Sequence, residues 1–583
     1  MLPYQTPSEI VASVVHAPAQ PQYSICPRKI WAVRTCAAEL PSIEVVAAPE
    51  LRLAGLRINP DTGGHARASH WGDLALFHVE SGTERAINGL PEDPRVRRLA
   101  WSPNGLWVAL GLAEASGLSL WLLDVRSAQA RPLVGPRLVE LVDSPFCWEP
   151  DSSGLIARLA PARRGPPPPV PAVPHGPVIQ ESFGETRPAR TYQDMLSSEH
   201  DEALFEHFLT CRLARVSLAG KTRAFGPVGL IVRVSPSPNG KYVVIDELHR
   251  PFSYQVGEGR FPRRTSVLDR KGNVVHVVAD LPLAESIPIA HGSTRLGPRG
   301  VHWRPDAPAQ LAWAEAIDGG DGAREVEFRD RVFLFDAPFD QAPRRWLETE
   351  LRYGGIYWGG DDLNLVTSSW YRTRRLKVVR AAIDSDDVQV VWDRNWEDRY
   401  TDPGVPLTTR NQYGRSVLRR VADGNSLYLA GSGASPRGNE PFLDRFNLDT
   451  GESERIWQST PPRYEQLVAI MDPDATRLLL ARESETTPPE LSLLRIGAPK
   501  PFYHLTVGVD PTPQMRAIRK EIIEYKRDDG IPLTATLYRP ATGDGPWPTI
   551  LWAYPREYKT ADAAGQIRDS PHRYLRITHW SPY

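Results

Sequence analysis

The sequence predicts a mainly β protein: a β-propeller followed by the opening strands of a second, incomplete α/β domain. Short apolar strands with the same turn chemistry recur between residues 61 and 510, and the pattern changes after residue 511. At 583 residues the chain is also too long for one hydrophobic core, which favours several domains or one large repeat assembly.

The repeated unit is an apolar or aromatic strand, a turn that combines Pro with Asp, Asn or Gly, and a second β-rich strand. Pro fixes φ at one position of such a turn, and Asn or Gly tolerates the positive φ that follows. A spacing of roughly 50 to 80 residues suits four-stranded blades with loop insertions. Radial repetition lets many short strands avoid exposed edges, so a propeller is favoured over a sandwich. The copies begin at Leu99, Phe146, Val234 and Val301, with looser copies at Ile356 and Ile470.

Two segments depart from the repeat. In residues 1–60, the run at positions 6–9 has the form of a capping box with Thr6 as N-cap, and the apolar residues that follow predict a short helix. In an insertion at about 161–211, the prolines at 166–169 predict an extended, solvated stretch. Residues 192–211 then predict a helix with a partial apolar face, which we expect on one rim of the propeller.

Residues 511–583 predict a different architecture. Two β-rich runs are separated by Asp529-Gly530, a pair typical of a tight hairpin turn. The apolar run at 548–555 suits a buried strand. A hairpin followed by a buried strand is how an α/β-hydrolase sheet begins, so we expect the start of such a domain here, truncated within this sequence.

Composition restricts the classes of partner. A net charge of −1 gives no overall attraction to nucleic acid or anionic membrane, so neither is predicted as a partner. The N-terminus has no signal-peptide pattern and no apolar run approaches about 18 residues, so the chain as given is expected in the cytoplasm unless an upstream leader is missing. The four cysteines form no CxxC pair, which leaves open at most an isolated bridge such as Cys26–Cys36.

Several segments share a pattern with one protein family. They include Glu397-Asp398-Arg399-Tyr400 in the repeat region and two runs near the C-terminus at 552–559 and 562–568. Together they resemble the glutamyl-endopeptidase branch of the prolyl oligopeptidase family of serine peptidases, and the resemblance extends from residue 2 to the end. The remaining segments occupy residues 49–60, 189–194, 249–254, 260–264 and 534–538.

The resemblance implies a seven- or eight-bladed β-propeller over an α/β-hydrolase domain with a Ser–Asp–His triad, whose serine lies in a G-x-S-x-G elbow. No such elbow occurs in the sequence: the near misses at Ser435 and Ser453 both have Arg where the second Gly must stand. We therefore predict no catalytic residue in this chain and no activity of the chain alone. In the complete enzyme, the implied activity is cleavage of peptides after acidic residues.

The candidate site residues follow from the same resemblance. Tyr554 is the nearest match to a tyrosine that helps bind the oxyanion in related enzymes; Trp552 is the other option, and a core aromatic is the structural alternative. Arg250, Arg263 and Arg264 are candidates for binding substrate carboxylates, because guanidinium groups bind them bidentately; their alternative is a solvated or internally paired arginine.

No cofactor and no metal is predicted, since no phosphate-binding loop occurs and the insertion histidines lack metal-ligand spacing. The oligomeric state is left open. An alternative function is a non-catalytic propeller that binds peptides or protein partners.

Overall fold

The computed structural model describes residues 6–37, 40–173, 176, 192–288, 290–500, 502–540, 542–553 and 556–575. Within them it forms eight antiparallel four-stranded blades, each built from strands in chain order, with a separate hairpin inserted in blades 1 and 7. Blade 1 contains Gln22–Ile25, Trp31–Ala37, Trp71–His78 and Glu84–Ala86; blade 2 contains Val96–Trp101, Trp107–Glu114, Gly117–Asp124 and Gln129–Leu138.

The long strand Thr222–Pro236 is shared between two blades, because its register shifts from one partner to the next. Its first half completes blade 3, after Phe146–Trp148, Gly154–Leu159 and Cys211–Ser217. Its second half opens blade 4, before Tyr242–Leu248, Arg263–Asp269 and Val274–Leu281.

The remaining blades have separate sheets. Their strands are Arg299–Trp303, Gln310–Ala316, Asp330–Asp336 and Arg344–Thr349 in blade 5; Arg352–Trp358, Asn364–Trp370, Arg375–Ala381 and Val388–Asn395 in blade 6; Val405–Pro406, Ser426–Gly431, Phe442–Asn447 and Ser453–Gln458 in blade 7; and Tyr464–Ile470, Arg477–Glu483, Glu490–Arg495 and Phe502–His504 in blade 8.

Apolar packing closes the blades into a ring. Eight clusters of buried residues each join one blade to the next. The closing cluster packs Phe77 of blade 1 against Leu479 and Leu493 of blade 8, and Lys29 Nζ donates a 2.6 Å hydrogen bond to the Ile470 carbonyl across the same junction. Because burying each large aliphatic side chain contributes about 1.5–3 kcal/mol, side-chain packing suffices to hold first and last blades together. The predicted propeller is confirmed, with eight blades.

The tryptophans of the repeat explain why the unit recurs. Each stands at the end of a blade's first strand, and its indole N–H donates to a group on the first strand of the preceding blade. Trp148 Nε1, for example, lies 2.9 Å from the Ala100 carbonyl. Equivalent bonds run from Trp101 to Ser24 O (3.0 Å), from Trp303 to Ser235 O (2.9 Å) and from Trp358 to His302 Nε2 (3.3 Å).

Strand order gives the ring two different faces. Connections between strands 1 and 2 and between strands 3 and 4 of each blade lie on one face, here called the turn face. Connections between strands 2 and 3, and from blade to blade, lie on the opposite face, here called the loop face. The insertion after Gly154–Leu159 therefore lies on the loop face, as does the small hairpin Leu51–Leu53/Leu56–Ile58.

The insertion contributes the rim helix, Glu199–Leu209, which confirms the predicted helix over a shorter range. Its Phe205 is fully buried and packs edge-on against Phe252 and Phe261, at centroid distances of 5.3 and 5.6 Å. The N-terminal helix Glu9–Val15 also forms, but Ser8 rather than Thr6 caps it, since the Ser8 hydroxyl accepts from Val11 N. The shorter helices are Ile43–Ala47 and Ala561–Ala564, with 3₁₀ turns at Glu258–Arg260 and Pro513–Met515.

The C-terminal region forms the predicted hairpin from Arg519–Lys526 and Pro532–Arg539. The buried strand expected at 548–555 does not form in its described part: residues 548–553 have no strand structure, and the Leu551 side chain is 88% exposed. The physical reason is the lack of a neighbour, because the hairpin strands pair only with each other among the described residues. The boundaries at residues 60 and 510 remain predictions, although blade 1 includes two strands that precede residue 60.

All four cysteines are free thiols. In the part of the chain that the structure describes, no helix has the length and apolar character needed to cross a bilayer.

Candidate functional site

No Ser–His–carboxylate arrangement occurs within the described residues. Two serine–histidine contacts are present there: His78 Nδ1 lies 2.9 Å from Ser81 Oγ, and His504 Nδ1 lies 3.2 Å from Ser492 Oγ. Neither histidine has a carboxylate hydrogen-bonded to its other ring nitrogen among these residues. A catalytic base needs such a group to orient the ring and stabilise the imidazolium, so neither pair is a triad.

The near-miss serines have structural roles. Ser435 Oγ donates a 2.8 Å hydrogen bond to the Gly438 carbonyl and thereby closes a turn. Ser453 begins the outer strand of blade 7. Two described histidines lie near a carboxylate. His249 Nε2 is 2.7 Å from Asp280 Oδ1, and its Nδ1 faces a backbone carbonyl rather than a serine. His572 Nδ1 is 3.6 Å from Glu485 Oε1.

The predicted substrate-binding arginines lie on the loop face and all have partners in the chain. Arg250 pairs with Glu202 and Glu206 of the rim helix, with 2.8 Å between its Nε and Glu206 Oε1. The two carboxylates raise the pKa of Arg250, with the Glu206 hydrogen bond as the largest cause. A substrate carboxylate at Arg250 would therefore compete with two carboxylates already in place.

Arg264 lies 2.8 Å from Asp280, and Arg263 lies 3.6 Å from Glu258. Burial raises the pKa of Glu258, and the charge of Arg263 opposes that rise. The substrate role of these arginines stays a prediction. Tyr554 lies outside the described residues, so its predicted oxyanion role also stays a prediction.

The structure joins two sequence segments that the family resemblance singled out separately. Residues 397–400, between blades 6 and 7, form a docking motif for residues 559–568, the docked segment. Five hydrogen bonds connect the two: Lys559 N to Glu397 Oε2 (2.9 Å), Arg399 N to Gln566 Oε1 (2.6 Å), Gln566 Nε2 to Asp398 Oδ1 (2.7 Å), Ile567 N to Tyr400 Oη (3.0 Å) and Arg568 Nη2 to Glu397 O (3.1 Å). The start of the C-terminal domain is thus attached to the loop face.

Glu397 connects this interface to the core of blade 6. Its Oε1 accepts a 2.8 Å hydrogen bond from Arg374 Nε, while its Oε2 faces the docked segment. Arg374 is 2% exposed and Glu397 is 7% exposed, so the pair is held away from solvent. Arg374 also lies over the Tyr371 ring, 3.7 Å from its centroid. Arg374 is therefore part of the buried interior of blade 6 and is linked through Glu397 to the docked segment.

A large cavity opens at the other end of the ring, on the turn face. Its volume is about 1270 Å³, and its walls are the first-strand ends and turns of blades 1 to 4, 7 and 8. We call it the channel cavity. Aromatic and proline side chains, among them Trp101, Trp148 and Tyr413, form part of the wall.

Six basic side chains and two carboxylates line the channel cavity, which leaves a formal excess of four positive charges in a chain whose net charge is −1. Most of these cations donate to backbone carbonyls, which leaves their charge uncompensated; Arg420 has an ion pair, with Asp362. The basic residues are Arg28, Lys29, Arg410, Arg415, Arg419 and Arg420, and the acidic ones are Asp472 and Asp474.

Four of these arginines come from a segment that the sequence analysis missed. Within blade 7, strands Thr408–Arg410 and Ser416–Leu418 form an extra hairpin, here called the mouth hairpin. It crosses the ring: Asn411 Nδ2 donates to Pro305 O of blade 5 (2.7 Å), and Arg415 donates to Pro236 O of blade 4 (2.7 Å). The run of four arginines between 408 and 420 was the available signal.

The cations of the channel cavity lie close enough to change one another's pKa values. Burial lowers the pKa of Lys29, and the positive charge of Arg419 lowers it further, whereas Asp472 opposes the change. Burial likewise lowers the pKa of Arg415 and of Arg419. Arginine nevertheless stays protonated in proteins, so the repulsion persists and an anion in the channel cavity would relieve it.

Comparison with known proteins gives two long matches. The chain is 37% identical over 615 residues to "Probable glutamyl endopeptidase, chloroplastic" from Oryza sativa subsp. japonica, covering 100% of this chain and 65% of that protein. It is 36% identical over 607 residues to the protein of the same name from Arabidopsis thaliana, covering 98% of this chain and 63% of that protein. This chain is a relative of the glutamyl endopeptidases. The resemblance to that branch of the prolyl oligopeptidase family is confirmed.

The chain spans about two thirds of the length of each of these relatives, 65% and 63%. Among solved structures, a prolyl endopeptidase is 13% identical with a TM-score of 0.39, covering 84% of this chain and 56% of that chain. The acylaminoacyl peptidase of Pyrococcus horikoshii is 12% identical with a TM-score of 0.40, covering 91% and 58%. No family model matches the chain.

Proposed function

We propose that this chain is the propeller portion, with the first hydrolase strands, of a serine peptidase of the glutamyl endopeptidase type. In the complete enzyme the propeller screens peptide substrates by size, and the triad cleaves after acidic residues. The observation that supports this most strongly is the identity of 37% along the whole chain to a glutamyl endopeptidase. The docked segment on the loop face supports it independently, since it attaches the start of the second domain to the ring.

The proposal assigns catalysis to residues outside the described part of the chain, because no Ser–His–carboxylate arrangement lies within it. Peptides are the proposed partners, and the chain alone is expected to hydrolyse none. Incubation with a fluorophosphonate probe tests this directly, since such probes label only a serine activated by its base. We expect no labelled serine, while an active serine hydrolase treated in parallel is labelled. Covalent labelling of Ser435, Ser453 or any other described serine would refute the assignment.

The second candidate is a propeller that binds peptides without cleaving them. It is favoured by one observation: all eight blade junctions are formed by residues before 510, so the ring is complete without the C-terminal region. A cooperative thermal transition of a monomeric chain would favour this alternative. Self-association through residues 550–552, which are exposed apolar side chains, would favour the first proposal.

A further inference from the structure

The channel cavity combines an unbalanced charge with a volume large enough for a segment of peptide chain. Its volume of about 1270 Å³ exceeds the roughly 300–1,000 Å³ of typical small-molecule pockets. Aromatic and proline side chains share its wall with cations, so an occupant would need both apolar surface and negative charge. An extended peptide that carries several carboxylates has both.

The cations of the cavity are available to a ligand. Arg28 is exposed, and within the described residues it forms no hydrogen bond and no ion pair. Arg410 is also exposed, and it donates only to the Gly414 carbonyl of its own hairpin. Carbonyl partners satisfy N–H groups but carry no net charge, so a carboxylate can bind without displacing an internal anion. This distinguishes the channel cavity from the loop face, where Arg250 and Arg264 already have carboxylate partners.

The cavity also lies at the opposite end of the ring from the docked segment. First strands run towards the turn face, where the cavity is, whereas the docked segment contacts the loop face at residues 397–400. A ligand in the channel cavity would therefore bind away from the start of the second domain. Entry of the ligand would pass the mouth hairpin, which supplies Arg410 and Arg415.

We propose that the channel cavity binds acidic peptide segments, through Arg28, Arg410 and the neighbouring cations, as a site separate from the loop face. The proposal deepens the proposed function and rests on it for the choice of a peptide over other anions. The site raises the local concentration of carboxylate-rich peptides at the turn face of the ring. Recognition there depends on charge, so it weakens as salt screens the cations.

The test is fluorescence anisotropy of labelled hexaglutamate with the intact chain, with hexaglutamine as the neutral comparison. We expect saturable binding of hexaglutamate, weaker binding at high salt and none of hexaglutamine. Arg28→Glu is expected to weaken binding by about threefold to tenfold, because it replaces a modest exposed attraction with a repulsion. Arg410→Glu is expected to act in the same direction, and either variant leaves the ring junctions intact.

Arg126→Glu is the matched control. Arg126 is exposed in a blade 2 turn, lies outside the channel cavity and undergoes the same change of charge. Equal weakening by Arg126→Glu and Arg28→Glu would overturn the proposal, as would the absence of hexaglutamate binding. Preference for an inorganic polyphosphate of matched charge would also overturn it, since the site would then select phosphate. Anisotropy reports binding and fluorophosphonate labelling reports an activated serine, so failure here is distinguishable from failure of the proposed function.

Discussion

Replacing Glu397 with Gln should release the docked segment while leaving the propeller folded. Gln has nearly the same shape as Glu but only one oxygen acceptor, whereas Glu397 uses both oxygens, one for Arg374 and one for Lys559 N. The amide NH₂ of the variant must face one of these two donors. Arg374 is the more buried donor, so we expect the oxygen to stay with Arg374 and the Lys559 contact to be lost.

The substitution has a local effect on the docked segment and a wider effect on the stability of the blades. A hydrogen bond to a charged acceptor contributes about 2 kcal/mol, so opening of the docked segment should become easier by that amount. Since about 1.4 kcal/mol corresponds to a factor of ten, the segment should open roughly 30-fold more often. Arg374 also loses its charge partner in a buried site, which costs about 3 kcal/mol in the free energy of unfolding of the blades it supports.

Hydrogen–deuterium exchange measured by mass spectrometry tests both parts. Peptides that cover residues 559–568 should exchange faster by that factor in Glu397→Gln, and peptides from blade 2 should not change. Glu454→Gln is the control, because Glu454 forms an exposed ion pair with Arg445 on blade 7. Unchanged exchange of residues 559–568 in a folded Glu397→Gln variant would show that Glu397 does not hold this segment.

Two further predictions concern stability and association. Burial would raise the pKa of Asp318, but hydrogen bonds and charge from Arg352, with Arg329, outweigh it and hold the pKa below its ordinary 3.8. The stability that Asp318 contributes is therefore complete above about pH 4 and is lost as the pH falls below that value, which urea unfolding between pH 6 and pH 3 should show. Asp318→Asn should lower the free energy of unfolding by about 3 kcal/mol at pH 6 and make it depend less on pH. Leu551→Asp should reduce concentration-dependent self-association measured by light scattering. Val170→Asp, which changes another exposed apolar residue, should not reduce it. Equal effects of the two variants would exclude residues 550–552 as the cause of self-association.

Much of the fold could be predicted because its determinants are local. Turns that combine Pro or Gly with Asp or Asn follow the first strand in blades 2 to 6 and 8, and a tryptophan ends that strand in blades 2, 3, 5 and 6. Blades 1 and 7 were not recognised from this signal. In blade 1 the equivalent turn is Cys26-Pro27-Arg28-Lys29, and in blade 7 the mouth hairpin separates the first two strands.

The C-terminal apolar run shows where local pattern is insufficient. Residues 548–553 have the composition of a buried strand, but a strand is stabilised by its neighbours, and no described strand lies beside it. The predicted substrate-binding arginines show the same limit of local pattern. Arg250 and Arg264 lie in family-like segments, yet carboxylates about 16 to 48 residues away in sequence pair with them.

Sequence alone determined the repeat, the class of fold and the family relationship, because turn chemistry, strand alternation and long segments of similarity are properties of neighbouring residues. Tertiary structure decided that the ring has eight blades, that residues 397–400 hold residues 559–568, and that six cations meet in one cavity. Those facts depend on contacts between residues far apart in the chain. Ring closure brings such residues together, and no window of sequence contains both partners.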